Sequence, residues 1–458
     1  MNHKPAITML HYGGFSYAWH ENAFLSRNQA HYAMACLWSM VAGSSKWEGN
    51  PAIVFPAVSI KQVEAELDLR PGELPWIKLS TVLPRGTVLN FDTDSFPAIC
   101  RMHMEMPSCY NGQGIFPLDL PAAVFLGLTR WEEWKRPVLD AFGCHDEQAT
   151  QCARQKYLDR PVLDEWAMVV RKWIEMKDPS WQAVLPVPRI WISHDIDNVR
   201  YFKNLFRIIK GFAKGIIHQR SISLAFKYFL MGLRAVRHSE NDPFYKGIRD
   251  LMDLDEFLGL KGTFFFMTAR DSELDDGYDM HHPTLFPLLK ELRKRGHEIG
   301  WHVGYLASKY LDVFEKEKNL FCILDSNGQS GARHHYLAWR GPESWRRIAN
   351  SGFGYDSSLG YNYIPGGFRC GTAYPYQAFD LQRDSVLPLI ERPLIVMDGP
   401  VMLMARQKNL IEADEMISKL YNRTILSGGC FSILIHNSID WEYPGALTFF
   451  KEWLSKKL

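Results

Sequence analysis

With 52 Lys and Arg against 51 Asp and Glu in 458 residues, the chain has no global positive field, which excludes an electrostatic case for nucleic-acid binding. Its 47% apolar and 22% charged content excludes a disordered or collagen-like chain and is enough for two or three packed cores. No apolar run is long enough to span a membrane and Met1–Tyr17 lacks a continuous apolar stretch, so cytoplasm is the expected compartment.

The N-terminal part, residues 1–184, reads as a smaller α/β domain of unknown function, rich in Trp, Pro and short apolar runs. Helices are expected over Ala30–Ala42, Pro121–Lys135 and Pro161–Glu175; in the last, Val162, Trp166, Val169, Val170 and Trp173 share one face. No cluster of ligand-type residues falls in this part. Breakers at Asp178-Pro179 and Pro186-Val187-Pro188 mark a boundary near residue 185. The eight cysteines form no C-x-x-C pair; Cys36, Cys322 and Cys430 sit in apolar surroundings and read as buried thiols.

Residues 185–458 alternate strands and helices. Strands are expected at Arg189–Ser193, Gly262–Met267, His297–Val303, Gly354–Tyr355 and Cys430–His436. Helices are expected at Leu251–Leu258, Pro283–Arg295 and Pro342–Ser351. Such alternation implies a mainly parallel sheet or a (β/α) barrel, whose active site lies at the carboxyl ends of the strands. Asp195 and Asp197 follow the first strand, two residues apart, so they can share a face. Two carboxylates that close repel unless a metal ion or a shared proton separates them. His302 and His436 stand at the ends of two further strands. Three strand ends with ligand-type residues are stronger evidence than any one.

Several motifs now come together: the Asp-x-Asp strand, Lys261-Gly-Thr-Phe-Phe-Phe266 and Arg295-Gly-His-Glu-Ile-Gly-Trp-His302. In order and spacing they resemble the polysaccharide deacetylase (NodB-homology) family over roughly residues 185–440. Arg333-His-His-Tyr336, Tyr355-Asp-Ser-Ser-Leu-Gly360, Gly367-Phe-Arg-Cys-Gly371 and the N-terminal Asp119-Leu-Pro-Ala and Arg130-Trp-Glu-Glu resemble a two-domain branch of it. The implied fold is a distorted (β/α) barrel with fewer than eight regular repeats. The implied roles are Asp195 as general base, Asp197 and His302 as ligands of a divalent metal, with zinc the expected ion, and Arg333 as the group that orients Asp195. His436 would be the general acid, with Asp356 holding its charged form. Arg340-Gly-Pro342 is a rival match to the Arg333 motif.

The sequence departs from the family pattern at one position. The second metal histidine is expected four residues after His302, where Leu306 stands. His335 is the leading replacement, with His194 and Ser308 behind it. Tyr336, Arg369 and Tyr376 are candidates to line a sugar cleft, and Trp301, Tyr305 and Trp339 could stack on sugar rings or pack a core. His281 and His282, before Pro283, read as structural. Residues 200–240 hold nine Lys or Arg and no acid before Glu240, with apolar residues at helical spacing. A basic amphipathic helix of this kind rests on an anionic membrane or packs on the barrel. The leading function is removal of an N-acyl group, acetyl first, from an amino sugar of a surface polysaccharide or of its lipid- or nucleotide-linked precursor. The alternatives are an amidohydrolase acting on another C–N bond and a catalytically degenerate carbohydrate-binding protein.

Overall fold

A computed structural model describes all residues except 1–5, 84–86, 88, 102–108, 111–112, 218–219, 271, 273, 276 and 325–329. Among the described residues, the main sheet of the N-terminal part has five strands: β1 (Thr8–Tyr12), β2 (Phe15–Trp19), β3 (Ile53–Pro56), β4 (Cys109–Tyr110) and β5 (Gln113–Ile115), in the order β1-β2-β3-β5-β4. Helix α1 (Arg27–Ala42) opens on a reciprocal cap between Ser26 and Gln29. The expected helix over 121–135 is broken in two. Helix α2 (Leu120–Thr129) stops where Arg130 turns left-handed (φ 52°), and Trp131–Lys135 forms a second short helix. Helix α3 (Val162–Lys177) carries the predicted face, with Val162, Trp166, Val169 and Val170 buried.

Among the described residues, the C-terminal part is organised by nine strands. They are β6 (Arg189–Ile196), β7 (Thr263–Met267), β8 (Glu298–Val303), β9 (Gly331–His334), β10 (Tyr355–Asp356), β11 (Tyr376–Asp380), β12 (Ser385–Glu391), β13 (Val396–Met397) and β14 (Cys430–Leu434). Their order is β11-β12-β10-β9-β8-β7-β6-β14-β13. All neighbours are parallel except the β11–β12 hairpin at one edge. Among the described residues the edge strands β11 and β13 do not pair with each other, so the sheet is open. Phe264, Phe265, Phe266 and Met267 of β7 are buried on both faces, as expected of a covered parallel strand.

Parallel strands place all their carboxyl ends along one edge, and the chemistry-bearing residues collect there. The segment after β6 folds into two antiparallel helices, α4 (Leu205–Ile217) and α5 (Ile222–Arg237), where the sequence suggested a single helix. Helix α6 (Pro243–Phe257) then returns along the sheet. Gly247 is required on it, because a Cβ there would lie 2.1 Å from the Asn437 carbonyl oxygen. Asn437 in turn donates through Nδ2 to the carbonyls of Asn198 and Phe244, tying the loop after β6 to the loop after β14. Cys36 and Cys430 are partly buried as free thiols, whereas Cys322 is exposed, against expectation.

Candidate metal centre and active site

Strand β6 runs three residues further than the apolar pattern indicates and takes Asp195 into the sheet, leaving Asp197 just past its tip. His302 on β8 stands beside Arg333 on β9 in the parallel register. The ring of His302 is fixed by Nδ1, which lies 2.9 Å from the Arg333 carbonyl oxygen. A carbonyl only accepts, so Nδ1 carries a proton and Nε2 is turned toward the carboxylates. That Nε2 lies 3.2 Å from Asp197 Oδ1 and 3.7 Å from Asp195 Oδ2.

His335 enters from the end of β9. The backbone turns left-handed immediately after it, at Tyr336 (φ 56°) and Leu337 (φ 49°), an unusual pair for non-glycine residues. The turn sets the His335 ring 5.2 Å from that of His302. Its Nδ1 lies 2.7 Å from Asp275 Oδ1, and its Nε2 faces Asp197 Oδ2 at 3.9 Å. Asp275 is itself fixed by the Tyr305 amide and by Ser272. Burial disfavours its charge, but His335 and these donors hold its carboxyl below the ordinary range.

One ligand-type atom each from Asp197, His302 and His335 falls within 4.8 Å of the other two. This donor set fits a divalent ion. His302 Nε2 and Asp197 Oδ1 are buried and have no hydrogen-bond partner, an expensive arrangement unless something else satisfies them. Both histidines have their other nitrogen fixed by an oxygen, as metal-ligating imidazoles do. Two histidines and a carboxylate match the three-ligand pattern of open catalytic zinc sites. Burial opposes the charge on Asp197, yet His335 and the neighbouring His302 and His436 hold its carboxyl well below the usual range.

Asp195 is buried, and Arg333 is completely so. Arg333 Nη1 donates to Asp195 Oδ1 at 2.9 Å, while Nε and Nη2 bond Ser357. The guanidinium lies over the Phe265 ring, 4.5 Å from its centre. One oxygen of Asp195 is thus held and the other faces His302. Arg340, the rival, instead bonds Ser308 and the Gly143 carbonyl.

His436 sits two residues past β14. Asp398, which follows β13, accepts from its backbone amide at 2.7 Å and pairs with Nδ1 at 2.7 Å. Burial would favour the neutral ring, but Asp398, with Asp197 and Asp195 behind it, pushes its pKa up to about 10. The expectation that Asp356 plays this part is wrong. Asp356 ends β10, and β9, β8, β7 and β6 lie between it and β14. It accepts instead from Ser358, whose hydroxyl also receives the His334 amide. Burial raises its carboxyl to about 6, and buried Glu391, which shares its environment, is raised as well.

Several other candidates are structural. Arg369 is buried against Glu133 of the N-terminal part, at 2.7 Å, and donates to the Gly360 carbonyl. Tyr376 is buried and donates to the Leu128 carbonyl. Trp301 and Trp339 are core residues. His194 is held between the Ile435 carbonyl and Asp255, and Ser308 bonds the Tyr305 carbonyl, so neither joins the metal group. His282 bonds Arg200 and Thr284, as a structural residue does. Tyr336 does reach the site. Its ring packs 4.0 Å from that of His335 and stacks on Phe142 at 6.1 Å, with its hydroxyl on the Leu274 carbonyl. Tyr305 donates to the Phe142 carbonyl, so a loop of the N-terminal part borders the metal group.

Asp275 and Asp398 were not singled out in the sequence. Asp398 opens a helix within an ordinary Val-Met-Asp-Gly-Pro run, and its part depends on β13 lying beside β14.

Residues 59–179 match a family model described as a family of unknown function (DUF7033). A solved structure from Mycobacterium smegmatis, described as a "putative polysaccharide deacetylase", is similar at 16% identity with a TM-score of 0.38, covering 61% of this chain and 86% of that one. No curated protein matches the chain.

Proposed function

We propose that this protein is a metal-dependent hydrolase of the polysaccharide deacetylase kind. It removes an N-acyl group, acetyl first, from an amino sugar of a surface polysaccharide or its cytoplasmic lipid- or nucleotide-linked precursor. The catalytic unit is residues 185–458, with residues 1–184 as a second domain. One observation carries this reading. An oriented carboxylate, Asp195 on Arg333, and an oriented imidazole, His436 on Asp398, share one sheet edge with the Asp197–His302–His335 group.

Amide hydrolysis needs an activated water, stabilisation of the developing oxyanion and a proton for the leaving amine. Asp195, its Oδ1 held by Arg333, takes the proton of the attacking water at Oδ2. His436, charged through Asp398, gives a proton to the amine nitrogen. Asp197, His302 and His335 would hold the ion, zinc by the donor set. When bound, such an ion lowers the pKa of water and polarises a carbonyl. The degenerate-binding alternative rested on Leu306; against it stands His335, placed beside Asp197 and His302 where it would serve as the third donor. Tyr336, beside His335, would contact the sugar.

The test is metal content of the purified protein together with acetate release from N-acetylated sugars, including lipid- and nucleotide-linked ones, with and without chelator. Stoichiometric metal and chelator-sensitive release, absent in Asp195→Asn, are expected. Neither metal nor release across that panel would overturn the reading.

A further inference from the structure

The hairpin α4–α5 takes no part in the chemistry, yet its surface is unusual for a water-facing element. Leu205, Phe206, Ile209 and Ile217 on α4 are exposed, Phe206 by 69%. On α5, Ile222, Phe226, Leu230 and Leu233 are exposed at i, i+4, i+8 and i+11, Ile222 by 69%. Phe212 packs on Phe226 at 5.6 Å and on Phe229 at 6.2 Å, so the two stripes join into one face. Scattered apolar side chains on a surface need no explanation, but a contiguous face does.

The fold is arranged to keep this face outward. Small residues make the contact between the helices: a Cβ on Gly215 would lie 2.5 Å from the Ala225 backbone. The opposite side of the hairpin packs on the protein through Tyr201, Phe202, Tyr228 and Trp441. The turn before α4 is pinned by Asp242, which accepts from the amides of Tyr201 and Phe202 at 2.8 Å each. Each amphipathic helix thus turns one side inward on the protein and a mixed aliphatic and phenyl side to solvent.

Charge says what covers the face. Lys210 flanks the apolar stripe on α4, and Lys227 and Arg234 flank it on α5; all three are exposed. No acidic residue occurs from Arg200 to Ser239. An apolar face with a basic margin and no acid matches the interfacial layer of an anionic bilayer. A second protein copy bringing the same basic margin would meet like charge. No helix among the described residues is long and apolar enough to cross a membrane, so the contact would be peripheral.

We propose that the α4–α5 hairpin seats this protein on an anionic lipid bilayer, with its apolar face in the interfacial layer and Lys210, Lys227 and Arg234 on the headgroups. A groove of about 840 Å³ opens beside that face, between α4 and helix α7 (Asp398–Gln407), which starts at the partner of His436. Lys210 and Arg406 line it together with Ile217, Met402 and Leu410, and Glu442 at its wall lies within electrostatic reach of His436 and Asp398. Resting on the functional reading above, the substrate class is then an amino sugar on a lipid carrier with an anionic linkage.

Co-sedimentation of the full chain with vesicles of phosphatidylcholine alone, and of an equal mixture with phosphatidylglycerol, tests the docking without any turnover. Failure of docking is therefore distinct from failure of the hydrolase reading. Binding to the anionic vesicles, weakened by salt, is expected. The exposed-site variants F206E/F226E and K227E/R234E, with circular dichroism unchanged, should each lower the partition coefficient by roughly tenfold or more. Binding that ignores anionic lipid, or that survives both variants, overturns the proposal. So does a dimer in sedimentation velocity that F206E/F226E dissociates while vesicles capture nothing, which would assign the face to a second copy.

Discussion

Two buried charge clusters in this molecule are built from the same kinds of group and do opposite things. At the seam between the N- and C-terminal parts, Glu133 lies between Arg130 and Arg369, each paired with it at 2.7 Å. The remaining guanidinium nitrogens bond the carbonyls of Gly127 and Gly360. Burial works against the Glu133 charge, but the two arginines hold its carboxyl far below the usual range. Every guanidinium nitrogen of the two arginines and both carboxylate oxygens of Glu133 have a partner. At the sheet edge, Asp197 Oδ1 and His302 Nε2 are buried, face each other and have no hydrogen-bond partner. The side chains of Asp197, His335 and His436 keep 33%, 12% and 20% of their exposure, so the group is open on one side. Closed satisfaction marks a structural cluster, and oriented incompleteness with a way in marks a functional one.

The comparison breaks first at Asp195. On the proposed function, Asp195→Asn removes the proton acceptor but keeps a partner for Arg333. Acetate release should fall about a thousandfold with little change in thermal midpoint. Next is the seam. Glu133→Ala strands two buried guanidinium groups and should cost about 3–5 kcal/mol, read by denaturant unfolding, while the folded fraction keeps its metal affinity. If Glu133→Ala abolishes metal binding in folded protein, the separation of roles fails.

Asp275→Asn sharpens the contrast. It leaves all three donors in place but loosens the His335 ring, and metal affinity should drop by roughly 10- to 100-fold, measured by chelator competition. The smallest effect concerns pH. The folded pKa of His436, about 10, lies above its ordinary value of 6.5. In the metal-free protein the charged ring therefore stabilises the fold fully below about pH 6.5, and that contribution is lost as pH rises through about 10. Asp398→Asn should remove most of it and move the alkaline limb of the rate profile to lower pH, seen in a pH–rate series. An unmoved limb would remove His436 from the role of acid.

Much of this was legible in the chain itself. The alternation of apolar runs and amphipathic helices gave a mainly parallel α/β arrangement, because strand and helix periods are local properties. Asp195, Asp197, His302 and His436 were legible because each ends a strand pattern, and parallel strands share one carboxyl edge. Arg333 and His335 were drawn from the motif resemblance, without the knowledge that Gly331–His334 is a buried strand. Other features depended on neighbours far apart in sequence. Whether the sheet closes is decided by its edge strands, and here the antiparallel hairpin β11–β12 occupies one edge. Asp398 rather than Asp356 serves His436 because β13, not β10, lies beside β14. Arg369 left the expected cleft for the seam because Glu133 packs there. The sequence alone determined which side chains could do chemistry and roughly where each element lay. Tertiary structure decided which met, because strand order and burial are settled by contacts the whole chain makes at once.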